Sequence, residues 1–252
     1  MNDPADKLFE ARLSDLTFRA ERSGAGVFSH FLDERQCVIA EQWCSRNCGG
    51  LRYLLWGGFP EARRKMLAVY PVYCQDYIME GFPMVCLSFS YRNEDSLTHR
   101  DFLGSFMGAR LKRETIGDII TGEGLTQAFV TDVAAKDLSS AVTKIGRVGV
   151  KVSTDLPFQM DTSQEFKEIS GTVASLRLDA VLSGLLNAGR AAAEGLIADG
   201  RVCVNSFAVQ KATKKVTAGD VITVRGAGKF KIISAGGATR KGRERVLAEK
   251  YL

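Results

Sequence analysis

Apolar positions recur with helical spacing most clearly over residues 175–205. Leu178, Val181, Leu182, Leu185 and Leu186 fall at i, i+3, i+4, i+7 and i+8, which lines one face of an amphipathic helix. Asn187-Ala188-Gly189 interrupts the pattern. A second helix is expected from Arg190, packing through Ala193, Leu196 and Ile197 and stopping at Gly200, a residue able to take the left-handed cap conformation. Val202-Cys203-Val204 then reads as a strand, completing a helix-turn-helix-strand unit with basic side chains at its turns.

Upstream, residues 3–22 read as a helix, with Asp3 as N-cap, Pro4 at the first helical position, and a stripe of Phe9, Leu13, Leu16 and Ala20. Ser23-Gly24-Ala25-Gly26 breaks it, a second helix is expected over 32–46, a strand over 51–56, a turn at 57–60 and a short helix over 61–68. That makes a mainly helical N-terminal domain of residues 1–75. Residues 76–155 then alternate period 2 and period 3.6: strand 84–91, helix 98–109, strand 116–121, strand 125–131, helix 132–142, strand 147–152. This order is a split βαβ, ferredoxin-like domain. Residues 156–171 carry Pro157 and Gly171 without a clear period and read as a linker to a domain of residues 172–252. In that last domain, residues 221–225 and 229–233 are strands joined by Gly226-Ala227-Gly228. The fold class is therefore α+β.

Charge sharpens the picture. The 252 residues carry a net charge of +5, but from Ser170 onward 14 Lys/Arg stand against 6 Asp/Glu, a net +8, leaving −3 on the preceding residues. Positive charge gathered at one end is the electrostatic footprint of a partner rich in phosphate. Lys229 and Lys231 share one strand face, and with Arg190, Lys211, Lys214, Lys215 and Arg225 they form a candidate patch along a phosphate backbone. Arg240, Lys241 and Arg243 extend the charge into a tail expected to be mobile without a partner.

Other chemistry finds less support. No secretory h-region and no apolar run near the roughly 18 residues of a membrane span is present, so no membrane partner is expected. Cysteines 37, 44, 48, 74, 86 and 203 are irregularly spaced and read as reduced intracellular thiols; Cys37, Cys44 and Cys48 lack the paired spacing of a metal site. His99, Arg100 and Asp101 lie close in sequence, but Thr98 and Asp101 are spaced as a helix cap and His99 and Asp101 would not face one another. Gly226-Ala227-Gly228-Lys229 lacks the spacing and following helix of a phosphate loop. Phe129 is the one aromatic of its strand, so base stacking is not assigned to the middle sheet. No catalytic residue, cofactor or metal is expected.

Arg177-Leu178-Asp179, Gly189-Arg190, Leu196-Ile197, Gly200 and Val202-Cys203-Val204-Asn205 resemble the S-four (S4) RNA-binding domain. The chain departs from it at Gly189, where serine is usual, and at Ser206, where glycine is usual. With Gly57-Gly58-Phe59, LTHRDFLG, RETIGDI, TVASLRLD, RGAGKF and TRKGR, the resemblance spans nearly the full length and is to the YlmH family of bacterial RNA-binding proteins. It implies a cytoplasmic, translation-associated protein that binds structured RNA on the large ribosomal subunit and helps rescue stalled ribosomes holding peptidyl-tRNA. Arg177, Arg201 and Asn205 join the candidate RNA-binding residues with it. The rival is an RNA-modifying enzyme, because Arg177-Leu178-Asp179 also resembles the catalytic segment of pseudouridine synthases. Against it, no catalytic domain follows the RNA-binding one. A protein-binding scaffold built on the first two domains can coexist with RNA binding.

Overall fold

The computed structural model describes residues 4–162, 165–239 and 242–252. Asp3, Arg240 and Lys241 lie outside the described residues. The chain forms two compact units, Met1–Thr162 and Ser163–Leu252.

The first unit opens with α1 (Pro4–Ser23), β1 (Val27–Leu32), α2 (Glu34–Asn47), β2 (Leu51–Trp56) and β3 (Lys65–Pro71). The strands pair antiparallel in the order β1-β3-β2. Helices of 20 and 14 residues still outweigh strands of 6, 6 and 7, but the short helix expected over 61–68 is a turn leading into the central strand. The reason is burial on both faces. Leu67 and Val69 pack under Leu13, Leu16 and Ala40, while Met66, Ala68 and Tyr70 pack the other way, so β3 reads as a continuous apolar run without alternation.

β4 (Met84–Ser90), α3 (His99–Gly108), β5 (Ile116–Thr121), β6 (Leu125–Thr131) and α4 (Asp132–Ala141) follow, then a short hairpin of β7 (Lys144–Ile145) and β8 (Val148–Gly149), and β9 (Lys151–Ser153). The sheet order β5-β6-β4-β9, antiparallel throughout, is that of the ferredoxin-like split βαβ. Phe102, Phe106 and Leu138 from the two helices cover one face. The other face meets the N-terminal sheet: Phe129 of β6 shares a core with Phe31, Phe59 and Met66.

Arg64 fastens that junction. Its Nε donates to the Ile116 carbonyl at 2.8 Å, and its Nη2 to the carbonyls of Arg113 at 3.0 Å and Phe31 at 3.2 Å. The backbone N–H groups of Arg63 and Arg64 donate in turn to Asp118. Gly58, at φ +101, lets the chain pass directly against the Phe129 ring, where a Cβ would overlap it. Residues 1–75 and 76–155 thus share their interior.

The expected linker is shorter than residues 156–171. Phe158 stacks on Phe59 with centroids 4.9 Å apart, and Gln127 Nε2 donates to the Pro157 carbonyl at 2.9 Å, so its first residues belong to the first unit. Its last residues form β10 (Phe166–Val173), a strand too exposed to show an apolar period.

The second unit continues with α5 (Leu178–Leu185), α6 (Arg190–Ala198), β11 (Val202–Val204), β12 (Phe207–Ala208), β13 (Val221–Val224), β14 (Gly228–Ala238) and β15 (Glu244–Tyr251). Its sheet runs β10-β15-β14-β13-β11-β12. Leu178, Leu182, Ala193 and Ile197 cover one face of that sheet, against Val202, Ile222, Phe230 and Ala248. Of the expected basic tail, Arg240 and Lys241 lie outside the described residues and Arg243 is bonded to Thr172; the chain from Glu244 on is a strand held between β10 and β14.

Candidate nucleic-acid interface

Backbone pairing brings one group of expected residues together. The first-turn N–H groups of α5 lack intrahelical partners. Two find them in the loop before β13: Leu178 donates to the Lys214 carbonyl at 2.8 Å and Asp179 to that of Ala212 at 3.1 Å. Val216 donates back to Leu176 at 2.8 Å, and Arg177 pairs with Lys215 as an isolated antiparallel bridge. Exposed Lys211, Lys214 and Lys215 therefore run beside Arg177 at the start of α5.

Asp179 organises the cations. Its carboxylate is fully buried and accepts from Arg177 Nε at 3.1 Å and Nη2 at 2.9 Å, from Arg190 Nε at 3.0 Å and Nη2 at 2.7 Å, and from the Ala180 N–H at 2.9 Å. Burial alone would raise its pKa. The hydrogen bonds from Arg177, Arg190 and Ala180 outweigh it and hold the carboxyl down at about 2. The same bonding raises the Arg177 pKa. Arg190 also lies 3.6 Å from Glu194 one turn on. The arginines are not simply outward-facing, since each is clamped by Asp179, but their side chains stay 41% and 50% exposed. A buried carboxylate has fixed two guanidinium groups at the surface beside three lysines, an arrangement suited to phosphate oxygens.

The other expected residues lie elsewhere in the unit. Arg201 donates through Nη2 to the Arg225 carbonyl at 2.8 Å, so these two form a pair at the far end of β13. Lys229 Nζ sits 5.2 Å from the centre of the Tyr251 ring. Lys231 stands across from Glu249, which offsets its charge. Arg243 donates to the Thr172 carbonyl at 2.6 Å and to its hydroxyl at 3.1 Å, tying β15 to β10. Asn205 has φ +52, its Nδ2 donates to Asp220 at 2.8 Å, and its Oδ1 accepts from the Val221 N–H at 2.8 Å. Both ends of that amide are hydrogen-bonded, so Asn205 shapes the exposed turn before β12. Phe166 and Tyr251, beside Lys229, escape the sequence pattern because β10 is exposed along most of its length and β15 offers only the short Val246, Ala248 alternation as a signal.

In the middle domain the LTHRDFLG segment caps a helix. Thr98 donates from its N–H at 2.8 Å and its hydroxyl at 2.6 Å to Asp101, which lowers the Asp101 pKa. The His99 pKa is lowered by burial and by nearby Arg113. Gly57-Gly58-Phe59 and RETIGDI meet at the Arg64 junction.

A helix pair laid on a sheet, with basic residues gathered at the helix starts, is the architecture of an S4 RNA-binding protein. Residues 176–222 match the S4 domain model and residues 79–159 match that of the putative RNA-binding domain in YlmH. A curated relative, ribosome-associated protein quality control protein P2 of Bacillus subtilis (strain 168), is 31% identical over 224 residues, covering 87% of this chain and 85% of that protein. The chain belongs to the YlmH family of RNA-binding proteins. The solved structure of cell division protein ylmH from Streptococcus pneumoniae shares its fold, with a TM-score of 0.53 and 19% identity over 61% of this chain and 92% of that one.

Proposed function

We propose that this protein binds structured RNA without chemical turnover, contacting ribosomal RNA or tRNA on the large ribosomal subunit, and acts in the cytoplasm in translation and the rescue of stalled ribosomes holding peptidyl-tRNA. The observation that carries the reading is the Asp179 cluster: Arg177 and Arg190 fixed by one buried carboxylate, beside Lys211, Lys214 and Lys215. The name of the Bacillus subtilis relative, a ribosome-associated quality control protein, supports the ribosomal setting. None of the described helices is long and apolar enough to cross a membrane, which is compatible with it. Arg201, Arg225 and Lys229 form a second group of contacts in this reading.

The same carboxylate speaks against the rival reading as a pseudouridine synthase. Asp179 is fully buried and engaged by two guanidinium groups, an arrangement that fits a structural clamp better than a group meeting a nucleoside. Affinity for ribosomal RNA and co-sedimentation with large subunits, measured across a salt series for wild type, Lys214→Glu and Lys215→Glu, test the proposal. Each change is expected to weaken binding and to lower the salt slope by roughly 1. Unaltered affinity and slope in both would move the RNA to another surface. Conversion of uridine to pseudouridine by wild type but not by Asp179→Ala would replace binding with catalysis.

A further inference from the structure

We propose that the face of the six-stranded sheet turned away from α5 and α6 is a second RNA contact, one that takes unpaired bases of a single strand by stacking on Phe166, which Tyr251 buttresses. It rests on the RNA-binding reading above and extends it from structured to single-stranded RNA.

The pairing register sets the site. Thr223 stands opposite Lys229, Phe230 and Lys231 stand opposite Lys250 and Glu249, and Tyr251 stands opposite Phe166. One row across β13, β14, β15 and β10 therefore reads Thr223, Lys229, Tyr251, Phe166, all on one face because side chains alternate along each strand. Phe230 and Ile232 point to the buried face, which α5 and α6 cover. Phe166 is 44% exposed. Its ring meets Tyr251 edge to face, at 5.0 Å between centroids and 64° between planes. Edge-to-face contact with Tyr251 holds the Phe166 ring in place. An exposed aromatic alone would be unremarkable on a protein surface. Here it continues a row in which Lys229 already lies over the neighbouring ring.

Charge selects the occupant and its path. Arg225, just past the end of β13 and two residues beyond Thr223, accepts through its carbonyl from the Arg201 side chain, so cations stand at the outer side of the row. In the next row inward Lys231 faces Glu249, and Glu249 faces Glu168, so carboxylates close that side to phosphate. A strand of RNA is thereby led along the Arg225 and Lys229 side toward Phe166. Aromatic platforms edged by cations hold single strands with little sequence preference, since every base has a π-face.

The test uses the full chain, a fluorescein-labelled single-stranded oligoadenylate and an RNA hairpin, with anisotropy as readout. Phe166→Ala is expected to keep its unfolding midpoint and hairpin affinity while losing roughly fivefold or more in oligoadenylate affinity. Phe166→Trp is expected to bind the oligoadenylate like wild type and to show an emission quenched on its addition, beyond any change in wild type. Unchanged oligoadenylate affinity in Phe166→Ala together with no extra quenching in Phe166→Trp overturns the proposal. So does a Phe166→Ala protein that binds oligoadenylate normally but no longer co-sediments with ribosomes, which would make the face a protein-docking surface. Loss of hairpin binding in Lys214→Glu with oligoadenylate binding retained supports two separate contacts. Hairpin binding insensitive to Lys214→Glu, with the Phe166 results as expected, removes the earlier reading of the Asp179 cluster and leaves this one.

Discussion

Arg190 begins a helix, where a cation opposes the dipole, and the sequence pattern alone reads such a residue as outward-facing. Its compensation comes from Asp179, on the preceding helix and buried, a relation carried by the packing of α5 on α6 and not by spacing along the chain. The motif was legible, its internal clamp was not. The clamp separates the cations by kind. Lys214→Glu is expected to weaken RNA binding and shift stability by less than about 0.5 kcal/mol, as surface changes usually do. Arg190→Glu brings a second carboxylate against Asp179 and is expected to lower both binding and the unfolding midpoint, seen in thermal melts beside binding curves. Asp179→Ala leaves two guanidinium groups facing each other without a counter-charge. Because both are half exposed and screened, its cost is expected toward the lower end of the about 3–5 kcal/mol of a broken buried pair, measured by denaturant titration. Folding lowers the Asp179 pKa from 3.8 to about 2, so its stabilisation is full above pH 4, roughly, and is lost as the pH falls toward 2. The wild-type stability advantage over Asp179→Asn is expected to shrink across that window; an advantage constant with pH would contradict the clamp.

The two helices of the S4 unit could be read from apolar spacing because each buries a single face, and the element order of the middle domain from short apolar runs alternating with helical ones. β3, β10 and β15 could not, each for its own reason. β3 is buried on both sides and loses its alternation. β10 is exposed along most of its length, and β15 has Leu247 on the open face and Glu244 and Lys250 in phase with its buried Val246 and Ala248. Gly57-Gly58-Phe59 and RETIGDI hinted at the junction between the first two sheets, as motifs without a mechanism. The mechanism is contact between backbone and ring at Gly58. Gly58→Ala adds a Cβ where φ is +101 and the Phe129 ring already lies, and is expected to destabilise the first unit by about 2–4 kcal/mol. Calorimetry resolving the two units would show the first transition lowered and the second unmoved.

Residues 1–75 and 76–155 share the cluster around Phe31, Phe59 and Phe129, so they are expected to unfold together, and residues 1–75 alone are expected to lack a cooperative transition. In the second unit the boundary matters more than the composition suggests. A fragment of residues 163–252 retains β10 and is expected to fold and bind RNA, whereas one beginning at residue 172 removes nearly all of it and uncovers an edge of β15. Circular dichroism and RNA affinity of the two fragments check this; equal stability would mean that β10 is dispensable. The position of β15 between β10 and β14 also bears on synthesis. A nascent chain that has not yet released residues 244–251 carries β10 and β14 as two unpaired edges, although the helix pair and its arginines have long since emerged. Assembly of this unit is therefore held back until translation of the segment is over, and a truncated product made on the way exposes edges that invite pairing with other chains instead of a finished RNA-binding surface.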